Sequence, residues 1–76
     1  MAYVKSIADM APGESAIIAG LLNDELSNKL LEMGFLPGAA VKMNYVAPFG
    51  DPVCVGLAGC DLTLRLQEAA MVAVLN

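Results

Sequence analysis

The stretch Met33-Gly34-Phe35-Leu36-Pro37-Gly38-Ala39-Ala40-Val41 constrains this chain more than any other part of it. Before it, Leu26, Leu30 and Met33 fall at i, i+4 and i+7 and form one apolar stripe, which predicts a helix. Asn23 or Asp24 can cap that helix, and the acidic Asp24 and Glu25 sit at its positive end. After the stretch, Val41, Met43 and Tyr45 alternate with Lys42 and Asn44, the period of a half-buried strand. Gly34 suits the left-handed position just past a helix, with Phe35 folding back onto the last turn. Pro37-Gly38 suits the two central positions of a type II turn. A helix must therefore become a strand within one tight corner.

The same punctuation recurs along the chain. Ala11-Pro12-Gly13-Glu14 is a second Pro-Gly turn, followed by the apolar, partly β-branched run Ser15-Ala16-Ile17-Ile18-Ala19-Gly20-Leu21-Leu22. Pro48-Phe49-Gly50-Asp51-Pro52 ends the Val41 strand, since Pro48 and Pro52 lack a donor and Asp51 before proline is driven away from the helical region. Val53, Val55 and Leu57, then Leu62, Leu64 and Leu66, recur at period two on either side of Ala58-Gly59-Cys60-Asp61, which reads as a hairpin connection. The final Met71-Val72-Ala73-Val74-Leu75-Asn76 is a short closing strand. Gly13, Gly34, Pro37, Gly38, Gly50 and Pro52 are the turn-forming residues on this reading. Five or so short strands and one short α-helix predict a mainly β fold, a small SH3-like antiparallel barrel whose closure removes exposed edges. An OB-type barrel needs longer strands, and a ferredoxin-like fold needs a second helix. With no linker composition, residues 1–76 read as a single domain.

Composition narrows the partners. Only 16% of residues are charged, against about 25% in an average soluble domain, while 58% are hydrophobic. Apolar side chains are thus expected outside the core, which favours a partner surface or a weak homo-oligomer. A net charge of −4 and a pI near 4.3 argue against nucleic acid, because only Lys5, Lys29, Lys42 and Arg65 could neutralise phosphate. No basic amphipathic run, signal-like segment or long apolar span is present, so direct membrane insertion is not expected and a cytoplasmic location is.

Catalytic chemistry finds little to work with. The sequence contains no histidine, so the usual general base and the commonest metal ligand are missing. Ser6, Ser15, Ser27 and Thr63 have no base to activate them, and no phosphate-binding loop of the G-x-x-x-x-G-K-[ST] type occurs. Cys54 and Cys60 allow two readings: a soft-metal or redox pair, or one small buried hydrophobe and one turn residue. The carboxylates are scattered apart from the adjacent Asp24 and Glu25, so no metal or other cofactor is expected. Met10, Met33, Met43 and Met71 could make an adaptable binding surface, but their helix and strand positions favour core filling.

Taken in order, LLEMGFLPGAAV (residues 30–41), APFGDP (residues 47–52), a glycine-containing hairpin and LTLRLQEAAMVAV (residues 62–74) resemble the FeoA family of small ferrous-iron transport proteins. The resemblance runs from about Ala8 to Val74. It implies an SH3-like barrel and a non-enzymatic, cytoplasmic accessory role, docked on the membrane ferrous-iron permease that carries a G-protein domain. The alternative is a stand-alone SH3-like peptide-binding domain related to that of metal-dependent repressors. A metallochaperone or small enzyme would need a ligand cluster or an activated nucleophile, and the sequence offers neither.

Two residues are the candidate partner contacts. On an ideal helix Leu31 lies about 140° from Leu26, away from the apolar stripe. Phe49 sits beside Gly50 at a loop tip, where a large ring is hard to bury; the alternative to a partner contact is packing over the open end of the barrel.

Overall fold

The computed structural model describes the backbone of residues 5–22 and 24–75, and the side chains of all of these except 24–27. The expected cap at Asn23 or Asp24 and the inward face of Leu26 lie outside the described residues.

The Gly34 corner is built from specific backbone bonds. Helix α1 spans Asp24–Glu32. Beyond it, the Phe35 N–H donates to the Leu30 carbonyl at 3.1 Å and the Gly34 N–H donates to the Leu31 carbonyl at 3.0 Å. This crossed pair is a Schellman ending, and Gly34 adopts the positive φ of 103° that it requires. Phe35 and Leu30, the two residues that such an ending brings together, are both fully buried. Two residues later the Ala39 N–H bonds back to the Leu36 carbonyl at 3.0 Å, closing the Pro37-Gly38 turn into strand β3, Ala40–Val46. Ile18 grips the corner from the side: its carbonyl accepts the Gly38 N–H and its N–H donates to Ala39.

The remaining elements follow the turn signals. Strand β1 (Lys5–Ser6) runs into a 3-10 turn at Ile7–Asp9 and then β2 (Ser15–Leu21). Strands β4 (Val53–Leu57) and β5 (Cys60–Leu64) form a hairpin, helix α2 spans Leu66–Ala69, and β6 (Val72–Leu75) closes the chain. The strands make one six-stranded antiparallel sheet in the order β1-β6-β2-β3-β4-β5. It curls around a core that includes Ile7, Ile18, Leu30, Phe35, Met43 and Val74. The fold is mainly β and SH3-like, as the turn pattern implies. Among the described residues β1 and β5 share no ladder, so the sheet keeps two edges where full closure was expected.

Three local expectations are corrected. Tyr45 does not alternate inward with Val41 and Met43: the register slips between Met43 and Tyr45, Asn44 is the extra residue of a β-bulge, and Tyr45 is turned outward at 59% exposure. The hairpin connection is only Ala58-Gly59, both at positive φ (52° and 81°), a type I′ turn. Cys60 and Asp61 are already in β5. Leu66 belongs to no strand, because it opens α2, so the chain has a second, four-residue helix. A second bulge between Ile18 and Gly20 sharpens the bend of β2.

Among the methionines, Met10 and Met43 are buried in the core and Met33 packs against it. Cys54 is buried and Cys60 exposed. Cys54 pairs with Thr63 and Cys60 with Leu57, so the thiols stand three ladder steps apart, about 10 Å along the strands. That exceeds the roughly 4.4–6.8 Å Cα separation of a disulfide.

Candidate partner-docking surface

Phe49 is 99% exposed, although the loop that carries it is well anchored. The Gly50 N–H bonds to the Ala47 carbonyl at 2.7 Å, closing a turn over Pro48 and Phe49, and the Ala47 N–H bonds to the Pro52 carbonyl at 3.0 Å across the loop base. The Asp51–Pro52 peptide is cis. Asp51 reaches out of the loop, and its Oδ1 accepts the Leu66 N–H at 2.9 Å. The loop is thereby tied to the start of α2, where Leu66 is itself 39% exposed. Pre-organised loops of this kind lose less entropy on binding than free ones.

Helix α2 is fixed in turn by Glu68, the buried charged residue of the described chain, at 8% exposure. Its Oε1 accepts the Arg65 N–H at 2.9 Å and its Oε2 accepts a bond from Lys29 Nζ on α1 at 2.6 Å. The Lys29 ammonium, first, and the Arg65 amide, second, hold the Glu68 carboxyl below its ordinary value, against the opposing effect of burial. A chain of two contacts, Asp51 to α2 and α2 to α1, therefore joins the Phe49 loop to the helix that carries Leu31.

The structure does not merge Leu31 and Phe49 into one patch. Leu31 is 38% exposed, but it stands two residues beyond Lys29, about 200° round the helix. Lys29 faces α2, so Leu31 faces away from it. Phe49 and Leu66 are both exposed apolar residues, on the loop and on the helix start that Asp51 ties together, and Leu31 lies on the side of α1 turned away from α2. The sequence reading missed Leu66, because period-two spacing assigned it to a strand. The signal was present: Glu68 three residues after Arg65 is the helix-start spacing in which an acidic side chain reaches back to an amide. It also missed Ile17 and Leu75, which pair across β2 and β6 and are 44% and 40% exposed.

Among the described residues, no three His, Cys, Asp or Glu side chains gather as a metal site. No described helix is long and apolar enough to cross a membrane.

Against known families, the model of the FeoA domain matches residues 5–75. The chain belongs to the FeoA family. Its fold superposes on a FeoA-like protein from Clostridium acetobutylicum with a TM-score of 0.89 at 25% identity, covering 97% of this chain and 87% of that one. It also superposes on the zinc complex of FeoA from Stenotrophomonas maltophilia, described as a prokaryotic SH3 domain protein and a candidate ferrous iron transport activating factor. There the TM-score is 0.80 at 28% identity, covering 91% of this chain and 87% of that one. A manganese-dependent transcriptional repressor in complex with manganese shares the fold alone, with a TM-score of 0.89 at 11% identity, covering 100% of this chain and 38% of that one.

Proposed function

We propose that this FeoA protein is a non-catalytic accessory module of ferrous-iron uptake that works in the cytoplasm as a single domain. It docks on the cytosolic part of the membrane iron permease that carries a G-protein domain. Family membership supports the pathway, and the observation that carries the docking is Phe49, almost wholly exposed on a loop braced through Asp51 against α2. Such a ring is an anchor awaiting a pocket, and aromatic anchors of this kind dominate binding energy at interfaces. Leu31 serves as a second contact on another face, for the permease or for a further subunit.

Pull-down from membrane extracts with the tagged chain, with and without guanine nucleotide, tests this. The permease is recovered by the native chain and lost with Phe49→Ser. Recovery unchanged by Phe49→Ser would remove the site, and no recovery in either nucleotide state would remove the partner. The shared fold of the manganese-dependent repressor supports a second reading, an SH3-like domain that binds a short peptide. Capture of soluble proteins in place of the permease would favour it.

A further inference from the structure

The open edge at β5 carries more information than an accident of closure. In a hairpin with a two-residue turn, the residues flanking the turn form a hydrogen-bonded pair, and the pattern then alternates. Leu57↔Cys60, Val55↔Leu62 and Val53↔Leu64 are thus bonded across β4 and β5. Asp61 and Thr63 turn their N–H and C=O outward, and no backbone partner meets them among the described residues. Strand β5 contains no proline, lysine or bulge, so what guards this edge is charge alone, from Asp61 and from Arg65 just beyond the strand. Between Asp61 and Thr63 lies Leu62, half-buried, and just past β5 Arg65 keeps the chain extended at φ −65° and ψ 147°.

The charges along the edge are self-complementary. Asp61, Thr63 and Arg65 are all exposed and share one face at period two. Arg65 makes no ion pair among the described residues. Asp61 receives Asn44 Nδ2 on one oxygen at 3.0 Å, and its other oxygen has no partner among the described residues. A purely basic strand laid here would meet Arg65, and a purely acidic one would meet Asp61. A strand carrying an acid and an arginine four residues apart, running antiparallel, satisfies both.

We propose that the occupant is β5 of a second copy of this chain, paired antiparallel about a twofold axis at Leu62. In that register Asp61 faces Thr63 of the second copy in a hydrogen-bonded pair, and the reverse, so all eight outward groups of the two strands are bonded. Leu62 meets its own counterpart in a close, non-hydrogen-bonded pair and covers its exposed half. Arg65 of each chain lies diagonal to Asp61 of the other, within reach of a long side chain. A strand pair alone falls short of the roughly 1,200 Å² of a stable interface, so the dimer is a weak one, seen at high protein concentration. The proposal does not depend on permease docking, which uses Phe49 and would survive its failure.

Sedimentation equilibrium across a wide concentration range, with amide hydrogen exchange, tests it. The native chain dimerises as concentration rises, and the Asp61 and Thr63 amides gain protection in step. Asp61→Arg or Arg65→Asp alone places like charges together twice and weakens association by about tenfold. An equimolar mixture of the two variants restores it as a heterodimer, which also shows that both are folded. A monomer at every concentration, protection gained at other amides, or a mixture no tighter than its components would overturn the proposal.

Discussion

Glu68 offers the most quantitative test of how α2 is braced. Replacing it with alanine removes an acceptor from the Arg65 N–H, a partner from Lys29 and the volume of a side chain buried at 8% exposure. Loss of an acceptor at a helix start costs about 1 kcal/mol. The Lys29 pair adds only about 0.5–1 kcal/mol, because the lysine side chain is 61% exposed and water screens it. Emptying the buried site adds about 1 kcal/mol more. Glu68→Ala should therefore lose about 2–3 kcal/mol, which in a domain of this size lowers the thermal midpoint by about 10–20 °C. Glu68→Gln, which keeps shape and one acceptor, should lose about half as much.

The pH dependence fixes the sign independently. Because the folded carboxyl is held below its ordinary value of 4.5, its contribution is complete above that pH and fades as pH falls through the folded value. Urea unfolding at neutral pH and at several acidic pH values measures both effects. The gap between the native chain and Glu68→Gln should narrow below about pH 4.5. An alanine variant within about 0.5 kcal/mol of the native chain, or a gap that does not change with pH, would refute the bracing role.

Three further outcomes follow from the backbone and the side-chain inventory. Gly34→Val should destabilise by at least about 1–2 kcal/mol, since a β-branched residue is strained at φ 103° and its Cβ would sit 3.4 Å from Leu57 Cδ2. Gly34→Asn should be milder, and equal thermal midpoints for Gly34→Val and the native chain would contradict the corner. Ala58, at φ 52° without a glycine's freedom, should gain about 0.5–1 kcal/mol on change to Asn, the residue favoured before Gly in a type I′ turn; a lower urea midpoint would count against that turn. The purified chain should carry no stoichiometric iron or zinc after dialysis, and metal lost on Cys54→Ser with Cys60→Ser would show a site formed through the thiols.

The corner at Gly34 was legible in the sequence because both of its breakers demand backbone states that few other residues adopt. The exposure of Phe49 was partly legible, since a ring beside Gly50 at a loop tip is hard to bury, although packing over the barrel end was open to it until the structure showed it exposed. Tyr45 was not, because a bulge is decided by the partner strand: Asn44 is surplus only in relation to Cys54 and Val55. Helix α2 escaped because four residues are too few to show a period, and its supports come from far away. Lys29 lies 39 residues from Glu68, and Asp51 lies 15 from Leu66. The exposure of Leu66, which opens that helix, was hidden by the same brevity.

Direct titration of the purified chain against the purified cytosolic G-protein domain of the permease, with and without guanine nucleotide, tests the docking claim most closely. Saturable binding is expected, weakened about tenfold or more by Phe49→Ser, while the thermal midpoint of that variant stays at the native value. Absence of binding in every nucleotide state, or binding indifferent to Phe49→Ser, would contradict it.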